Sequence, residues 1–430
     1  MNIRLLALLL AMISCMSLAI MPAIAADYIL DIFGNADLDE DIDEMDIAYV
    51  KGIINGTNAA TNLSDANYDG KIDALDIDQI KLIILGEEKE LTLTDCAGKI
   101  VEVKEPVDRV VSTEQITTEI LKAIGINKVV GTDCDMWGGK TFLPELDTLP
   151  CVGSYNDPDG EAIIKLHPDV VFVYSTKCAP GLEDKLAPAG IPVVRVDTGG
   201  VRIDGNLAVR EWKKIGYIIH ERARVEELID WYEGHLEEIE SRTAGLSDKD
   251  RRRVYAAFLI GSEDRILGIN RYLGYACTLA GGVNIAGDAN YGTIADPEWV
   301  IVQNPDFIVL ATTAAGAIGG YETDDPTAMK EQIEMFLNRT AWQNVTAVKD
   351  GKVAMTAWHM LGGPHMLIAT AYMAKWFYPD LFEDLDPEAI HKEYLQKFQK
   401  LDYDLDEHGV FAYPAFETGG KLAGIPDRNR

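Results

Sequence analysis

Basic residues are scarce in this sequence. Its 430 residues include 39 Lys and Arg against 70 Asp and Glu, which gives a formal net charge of −31 at pH 7. Such a negative field repels phosphate backbones and anionic membrane surfaces, so the composition disfavours nucleic-acid binding. A strongly acidic chain does suit a protein that works outside the cell and holds calcium.

The motifs of several enzyme classes are also absent. The sequence contains no Ser/His/Asp order, no His-x-His or Cys-x-x-Cys metal set, and no P-loop or Rossmann glycine fingerprint. Carboxylates are so numerous that no pair stands out as a glycosidase candidate. These absences count against the enzyme classes that use such motifs.

Apolar runs long enough to cross a membrane are missing beyond the N-terminus. There, Arg4 supplies a positive region, an apolar stretch begins at Leu5, and the segment Ala23-Ile24-Ala25 is a small-x-small cleavage site. This order predicts a secretory signal peptide over residues 1–25 and an extracytoplasmic location, periplasmic or at the cell surface. The alternatives are a retained membrane anchor and a lipid anchor on Cys15.

Cysteines are few, and their spacing matches no zinc or redox motif. Cleavage after Ala25 leaves an odd number, so at least one is unpaired: Cys96, Cys134, Cys151, Cys178 and Cys277. The compartment permits disulfides. The five are therefore either small core residues or include one or two disulfide staples.

A repeated acidic pattern near the N-terminus predicts two calcium sites. Side chains with oxygen atoms occupy positions 1, 3, 5, 9 and 12 of two EF-hand-type loops, and position 7 offers its backbone carbonyl. The predicted ligands are Asn35, Asp37, Asp39, Asp41, Asp43 and Asp46 in the first loop, and Asp65, Asn67, Asp69, Lys71, Asp73 and Asp76 in the second. Gly70 suits the sharp turn of the second loop, whereas Glu40 holds that place in the first.

Each loop is followed by an apolar helical pattern, at residues 47–54 and 77–85. The paired loop–helix units, with Asp at position 12, resemble the type I dockerin module over residues 33–87. That resemblance implies a calcium-dependent attachment module and a cohesin domain as its partner. It also leaves two kinds of protein open: a dockerin-bearing enzyme, or a surface scaffold displayed by this module.

Beyond residue 90 short apolar strands alternate with helices, which indicates parallel sheets covered on both faces. A long apolar stripe from Arg222 to Ser241 predicts a helix of about 30 Å between two such regions. We therefore predict an α/β protein with two Rossmann-like lobes joined by one long helix, plus a small all-α calcium-loop domain. The expected boundaries are 1–25 for the signal peptide, 26–88 for the dockerin-like domain, 89–205 for the first lobe, 206–245 for the helical connection, 246–415 for the second lobe and 416–430 for a tail.

The two lobes share an internal echo. Glu161 lies seven residues before Pro168 and a buried strand, and Glu298 lies seven residues before Pro305 and another buried strand. In order along residues 90–400, the sequences PVDRVV (106–111), VGSY (152–155), LAGGVN (279–284) and AVKDGKV (347–353) accompany this echo. This ordered series resembles the periplasmic binding proteins for iron–siderophore complexes, haem and vitamin B12, which have a helical interlobe backbone. The resemblance implies an ABC-importer component whose Glu161 and Glu298 pair with arginines of the membrane subunits.

Ligands of open parallel sheets bind outside the carboxyl ends of the strands. Polar and aromatic residues at those ends suit a cleft that grips a bulky chelate or macrocycle, such as a siderophore, haem or a corrinoid. The ligand-binding candidates are Trp137, Tyr155, Tyr174, Arg271, Tyr272, Trp358 and His359. Each also has a structural interpretation, as a loop anchor, a packed aromatic or a group bonded to a neighbour.

Overall fold

The computed structural model describes residues 28–134, 139–199, 207–260, 263–269, 272–289, 293–312, 318–418 and 420–429. The predicted signal peptide and the ligand candidates Trp137 and Arg271 lie outside these residues. Within them, no helix combines the length and the apolar character that a membrane span requires.

Both acidic loops lead into helices. These are α1 (Glu44–Ile54) and α2 (Ala74–Leu85), which start three residues earlier than the apolar patterns suggested. The reason is the capping box: the side chains of Asp43 and Asp73 accept hydrogen bonds from the first helical turns, and Asp46 and Asp76 bond back to the capping residues. The same carboxylates therefore shape the loop and begin the helix.

The acidic segment is not separated from the rest of the chain. Strands β1 (Glu90–Thr94) and β2 (Ile100–Lys104) form an antiparallel hairpin. The N–H of Phe33 donates to the carbonyl of Thr92 (2.9 Å), and Thr94 donates to Asp31 (2.8 Å). Side chains on both sides of residue 88 also belong to one hydrophobic core. The predicted boundary at residue 88 thus falls inside a packed unit.

The first lobe is a four-stranded parallel sheet in the order β4-β3-β7-β8. Its elements are β3 (Val110–Ser112), α3 (Gln115–Gly125), β4 (Val129–Thr132), α4 (Gly139–Phe142), β5 (Gly153–Ser154), β6 (Asp157–Pro158), α5 (Gly160–Lys165), β7 (Val170–Tyr174), α6 (Leu182–Leu186) and β8 (Val193–Val196). Strands β3, β7 and β8 are buried along almost their whole length, as the continuous β-branched runs predicted.

Two helices connect the lobes, α7 (Leu207–Ile218) and α8 (Arg222–Thr243). The 22 residues of α8 span about 33 Å at the usual helical rise. The apolar stripe that predicted this helix is buried, and it includes Val225, Leu228, Tyr232, Leu236 and Ile239.

The second lobe has a six-stranded mixed sheet in the order β10-β9-β12-β13-β14, with β11 also paired to β9. Its elements are β9 (Arg253–Ile260), β10 (Glu263–Ile266), α9 (Tyr272–Leu279), β11 (Val283–Asn284), α10 (Pro297–Gln303), β12 (Phe307–Thr312), α11 (Thr327–Leu337), α12 (Thr346–Lys349), β13 (Val353–Thr356), α13 (His365–Phe377), α14 (Pro387–Lys397), β14 (Ala412–Tyr413), β15 (Phe416–Thr418) and β16 (Lys421–Ala423). The central strands pair in parallel, while β10 and β14 are antiparallel. In the segment predicted to be a tail, β16 pairs with β15 in a hairpin, and its residues Leu422 and Ala423 are buried.

Candidate functional site

A pair of tyrosines joins the two lobes. Tyr174 is the last residue of β7 in the first lobe, and Tyr272 is the first residue of α9 in the second. Their hydroxyl oxygens are 3.2 Å apart, which is hydrogen-bonding distance. Both were predicted as ligand-binding residues from their places beyond strands, and the structure brings them together.

Further aromatic rings extend the second-lobe side of this contact. Trp358 follows β13, and its ring lies 6.2 Å from that of Tyr272. Phe258 lies 5.4 Å from Trp358 and 6.4 Å from Tyr272. Sequence reasoning missed Phe258, because a fully buried residue in the middle of β9 carries the signature of ordinary core.

The backbone is strained on both sides of the tyrosine contact. Tyr272 has a φ of +37°, and Ser175, directly after Tyr174, has a φ of +61°. Residues other than glycine pay energy to adopt this left-handed region, and such positions cluster at binding sites. The surrounding packing therefore places the two tyrosines at a cost in local backbone energy.

Carboxylates of the first lobe lie near Tyr174. Glu114 follows β3 and accepts a hydrogen bond from the N–H of Thr117 (3.0 Å). Burial raises the pKa of Glu114 to about 7. Burial also raises the pKa of Tyr174, and the neighbouring charges of Asp197 and Glu114 add to that rise. This side of the contact offers oxygen acceptors, whereas the other side offers aromatic faces.

The remaining described candidates lie nearby or elsewhere in the lobes. Tyr155 lies in the turn between β5 and β6 and packs on the same apolar cluster as Tyr174. The ring of His359 lies 6.2 Å from that of Tyr321. It also occupies the space that a β-carbon on Gly320 would need, which explains the glycine there. His359 thus faces Tyr321, while its neighbour Trp358 faces Tyr272.

Of the five cysteines that the structure describes, Cys134 and Cys151 form a disulfide, whereas Cys96, Cys178 and Cys277 are unpaired. The sequence left this pairing open. The bridge connects Cys134, two residues after β4, to Cys151, two residues before β5.

A buried polar network lies between the lobes and was not predicted. Glu119 of α3 is 2.8 Å from Nδ1 of His365 in α13, and it also accepts a hydrogen bond from the hydroxyl of Tyr394 in α14. The hydroxyl of Tyr321 lies 2.7 Å from Nε2 of His365 and 2.6 Å from Nε2 of His391. Glu119 has no distinguishing signal in the sequence, since its partners lie more than 240 positions away.

The first acidic loop, for which the sequence predicts calcium binding, places one carboxylate against the loop backbone and buries another. Oδ1 of Asp46 accepts hydrogen bonds from the N–H groups of Ala36 (2.6 Å) and Asp37 (3.2 Å). Oδ1 of Asp37 is buried without a hydrogen-bond partner. Burial raises the pKa of Asp37, and the charge of Asp39 adds to that rise. An acceptor of this kind beside like charges fits a bound cation.

The second loop turns its side chains onto its own backbone. Oδ1 of Asp65 accepts from the N–H of Asp69 (3.1 Å), and Oδ2 accepts from Gly70 (2.9 Å). Among the residues that the structure describes, no three His, Cys, Asp or Glu side chains converge closely enough to hold a metal ion. The oxygen-bearing side chains of both loops are thus of the kind that calcium binds. In the described residues, however, their carboxylates do not converge on one point.

The helices that carry Glu161 and Glu298 are built alike. The carboxylates of Asp159 and Asp296 each accept a hydrogen bond of 2.9 Å from the N–H of the glutamate two residues later. Both glutamate side chains are exposed.

The contacts between the end of each helix and the start of a neighbouring strand also repeat. The N–H of Arg109 donates to Asp169 (2.8 Å), and the N–H of Arg253 donates to Asp306 (3.0 Å). The guanidinium of Arg109 donates to the carbonyl of Leu166, and that of Arg253 donates to the carbonyl of Gln303. The sequence echo thus corresponds to one local structure used twice.

Comparison with known proteins agrees with this architecture. A family model described as periplasmic binding protein matches residues 110–357, more than half of the chain. The molybdate-binding protein MolA of Haemophilus influenzae is 24% identical over 343 residues, covering 73% of this chain and 92% of that protein. An uncharacterised ABC transporter substrate-binding lipoprotein of Bacillus subtilis, YvrC, is 22% identical, covering 68% and 87%.

Among solved structures, the TroA-like periplasmic binding protein FepB of Veillonella parvula superimposes with a TM-score of 0.61 at 24% identity, covering 75% of this chain and 98% of that one. This likeness shows a shared fold. The relatives are periplasmic or lipoprotein binding proteins, which is consistent with the predicted extracytoplasmic location. They are transport components without enzymatic activity, and they work with membrane permease subunits. This chain therefore belongs to the periplasmic binding protein family and is the substrate-binding component of an ABC transporter.

Proposed function

We propose that the protein captures a bulky iron chelate, haem or a cobalamin-like ligand between its lobes. The observation that carries the proposal is the contact of Tyr174 with Tyr272, flanked by Trp358. Aromatic faces beside polar oxygen atoms suit a large, flat or many-ringed ligand, because they bury apolar area and orient it through few hydrogen bonds. Entry of such a ligand requires the two tyrosines to separate.

A small oxyanion is the second candidate. It is favoured by the similarity to MolA, whose name records molybdate binding. An oxyanion binds through convergent hydrogen-bond donors and cations. The residues described around Tyr174 include the rings of Tyr272 and Trp358 and the carboxyl group of Glu114. These groups supply aromatic area for a large ligand and no positive charge for a small oxyanion. We therefore rank the chelate above the oxyanion.

The test is a ligand panel on the mature protein with calcium held constant. Thermal shift and tryptophan fluorescence would be recorded with ferric siderophores, haem, cobalamins and molybdate. Saturable stabilisation by a chelate or macrocycle supports the proposal, and stabilisation by molybdate alone replaces it with the oxyanion. If no ligand of the panel stabilises the protein while a cohesin domain still binds it, the surface-scaffold alternative is favoured.

We also propose that Glu161 and Glu298 pair with arginines of the membrane subunits. Their exposure and their identical placement after a capping aspartate support this role. Glu161→Lys combined with Glu298→Lys should abolish ligand uptake and leave ligand affinity unchanged. A lowered ligand affinity would mean that the two residues act on the cleft instead.

The acidic N-terminal segment is proposed to be a calcium-dependent, dockerin-like module with two sites. The buried, unpartnered Oδ1 of Asp37 supports this proposal for the first loop. Residues Asn35 to Asp46 and Asp65 to Asp76 would hold the ions, which supply charge that offsets the carboxylate repulsion. Calorimetric titration should give two calcium ions per chain for the wild type. It should give one ion per chain for the Asp46→Ala variant and one for the Asp76→Ala variant. Binding of a cohesin domain in calcium, and its loss in EGTA, would test the partner; titration without heat would reject the calcium sites.

A further inference from the structure

The surroundings of the two docking glutamates differ, although the glutamates themselves are placed alike. Four residues before and four residues after Glu161 the first lobe has Asp157 and Lys165. At the same two offsets from Glu298 the second lobe has Ile294 and Val302. We call Glu161, Asp157 and Lys165 the first-lobe patch, and Glu298, Ile294 and Val302 the second-lobe patch.

The apolar residues of the second-lobe patch are exposed. Val302 is 79% exposed, the most exposed large apolar side chain in the described part of the chain, and Ile294 is 55% exposed. Val302 lies four residues after Glu298 in α10, so the two side chains share one helix face. The backbone of Ile294 forms a β-bridge with Arg265, which holds it directly before the residues that cap α10.

The corresponding positions of the first-lobe patch are charged and hydrated. The side chain of Asp157 is 89% exposed and lies 3.9 Å from the ammonium of Lys185. Lys165 is exposed at the end of α5. Charged groups at this exposure contribute little affinity in physiological salt, because water and ions screen them. Two exposed branched aliphatic side chains, close in sequence to a docking carboxylate, instead gain affinity when a partner removes them from water.

We propose that the protein docks unequally on its transporter: the second-lobe patch binds a membrane subunit through apolar burial around Glu298, and the first-lobe patch binds through charge alone. This inference rests on the proposed docking role of the two glutamates. The partner surface that meets the second lobe must offer a basic group with apolar side chains around it. The second-lobe patch thus supplies the larger, salt-resistant share of the docking affinity.

The test uses the full-length mature protein and the membrane and ATPase subunits of its importer, purified from the same organism in nanodiscs. Docking affinity and stimulated ATP hydrolysis would be measured at 0.15 and 0.5 M NaCl. Ile294→Asp combined with Val302→Lys gives the second lobe the charges of the first. We expect this variant to weaken docking by about tenfold or more, as loss of apolar interface contacts does. The matched variant, Asp157→Asn with Lys165→Gln, should weaken it by less than about threefold at the lower salt.

Salt separates the two kinds of contact. Docking of the Ile294/Val302 variant should fall steeply between the two salt concentrations, whereas that of the Asp157/Lys165 variant should change little. Equal losses in the two variants, or full affinity without Ile294 and Val302, would overturn the inference. If the charged substitutions lower the melting temperature, serine at both positions replaces them, with the same expected ranking.

A control distinguishes this inference from the docking proposal on which it rests. Glu161→Lys with Glu298→Lys is measured in the same nanodiscs. Docking that survives this double charge reversal would reject the role of the glutamates altogether. If the charge reversal abolishes docking but the Ile294/Val302 and Asp157/Lys165 variants both dock normally, the role of the glutamates stands and only the unequal contact is rejected.

Discussion

The carboxylate of Glu119 in the first lobe lies 2.8 Å from Nδ1 of His365 in the second lobe, and both side chains are almost fully buried. Tyr394 of α14 completes the contact by donating to the same carboxylate, and its ring stacks on Trp231 of the interlobe helix α8 at 5.4 Å. One carboxylate therefore connects both lobes and the helix between them. This contact opposes wide separation of the lobes.

Glu119→Ala should lower the free energy of unfolding by about 3 kcal/mol, because it leaves buried polar partners without their acceptor. Denaturant unfolding monitored by fluorescence measures the change. Glu161→Ala, at an exposed position, is the control and should change it by less than about 0.5 kcal/mol. A loss of similar size in both variants would contradict the role of Glu119 in holding the two lobes together.

His391 should make the protein less stable in mild acid. Burial lowers the pKa of His391 well below its usual value, and the neighbouring His365 adds to this effect; the hydroxyl of Tyr321 faces its Nε2. Because the unfolded chain takes up a proton near pH 6.5 and the folded one does not, this contribution to stability is complete above that pH and declines as the pH falls. Below pH 6.5 the loss is about 1.4 kcal/mol per unit.

The measurement is the difference between wild type and His391→Gln from pH 7.5 to 5.0. A difference is needed because burial raises the pKa of Glu105 and Glu388 to about 8. For such carboxyls the folded state holds the extra proton, so their contribution declines as the pH rises instead. Parallel stability curves for the two proteins would show that His391 is not responsible.

Trp358 should report ligand entry. We expect Trp358→Phe to remove most of the ligand-induced change in tryptophan fluorescence and to weaken binding by about tenfold, because a large aromatic contact is reduced. Trp376→Phe is the matched control, since that indole donates to the carbonyl of Pro414 and packs at a tilt against Phe416 in the C-terminal part. An unchanged response in the Trp358 variant would place the ligand elsewhere.

The disulfide should stabilise the first lobe. Cys134→Ser with Cys151→Ser opens a loop with a sequence separation of 17, and a loop of this length is worth about 3 kcal/mol. Chemical denaturation with and without reductant measures the effect. Reductant should affect the wild type and leave the double variant unchanged; equal sensitivity of both would show that the bridge does not form.

Lys213 should anchor the first acidic loop to the interlobe helices. Its ammonium lies 2.8 Å from Asp41 and 3.0 Å from Glu226, and its side chain is 4% exposed. Lys213→Met should cost about 1–2 kcal/mol, since the two carboxylates are half exposed and can regain water. Lys71→Met removes an exposed lysine of the second loop, unlike the buried Lys213, and should cost almost nothing in a thermal unfolding measurement of both variants.

Several features were determined by local patterns along the chain. The stripe of apolar residues predicted α8, the β-branched runs predicted parallel central strands, and the aspartates at positions 9 and 12 of each loop mark where α1 and α2 begin. These patterns work because periodicity and capping act over a few residues. The roles in ligand binding, transporter docking and calcium binding stay predictions.

Only tertiary structure decided which distant residues meet. Tyr174 and Tyr272 are 98 positions apart, and Glu119 and His365 are 246 apart; no periodicity links such pairs. The antiparallel edge strands, the Cys134–Cys151 pairing and the docking of the acidic segment on α7 through Lys213 and Tyr217 likewise depend on packing of whole lobes. A sequence states the chemistry of each side chain, whereas the folded chain decides which chemistries share a site.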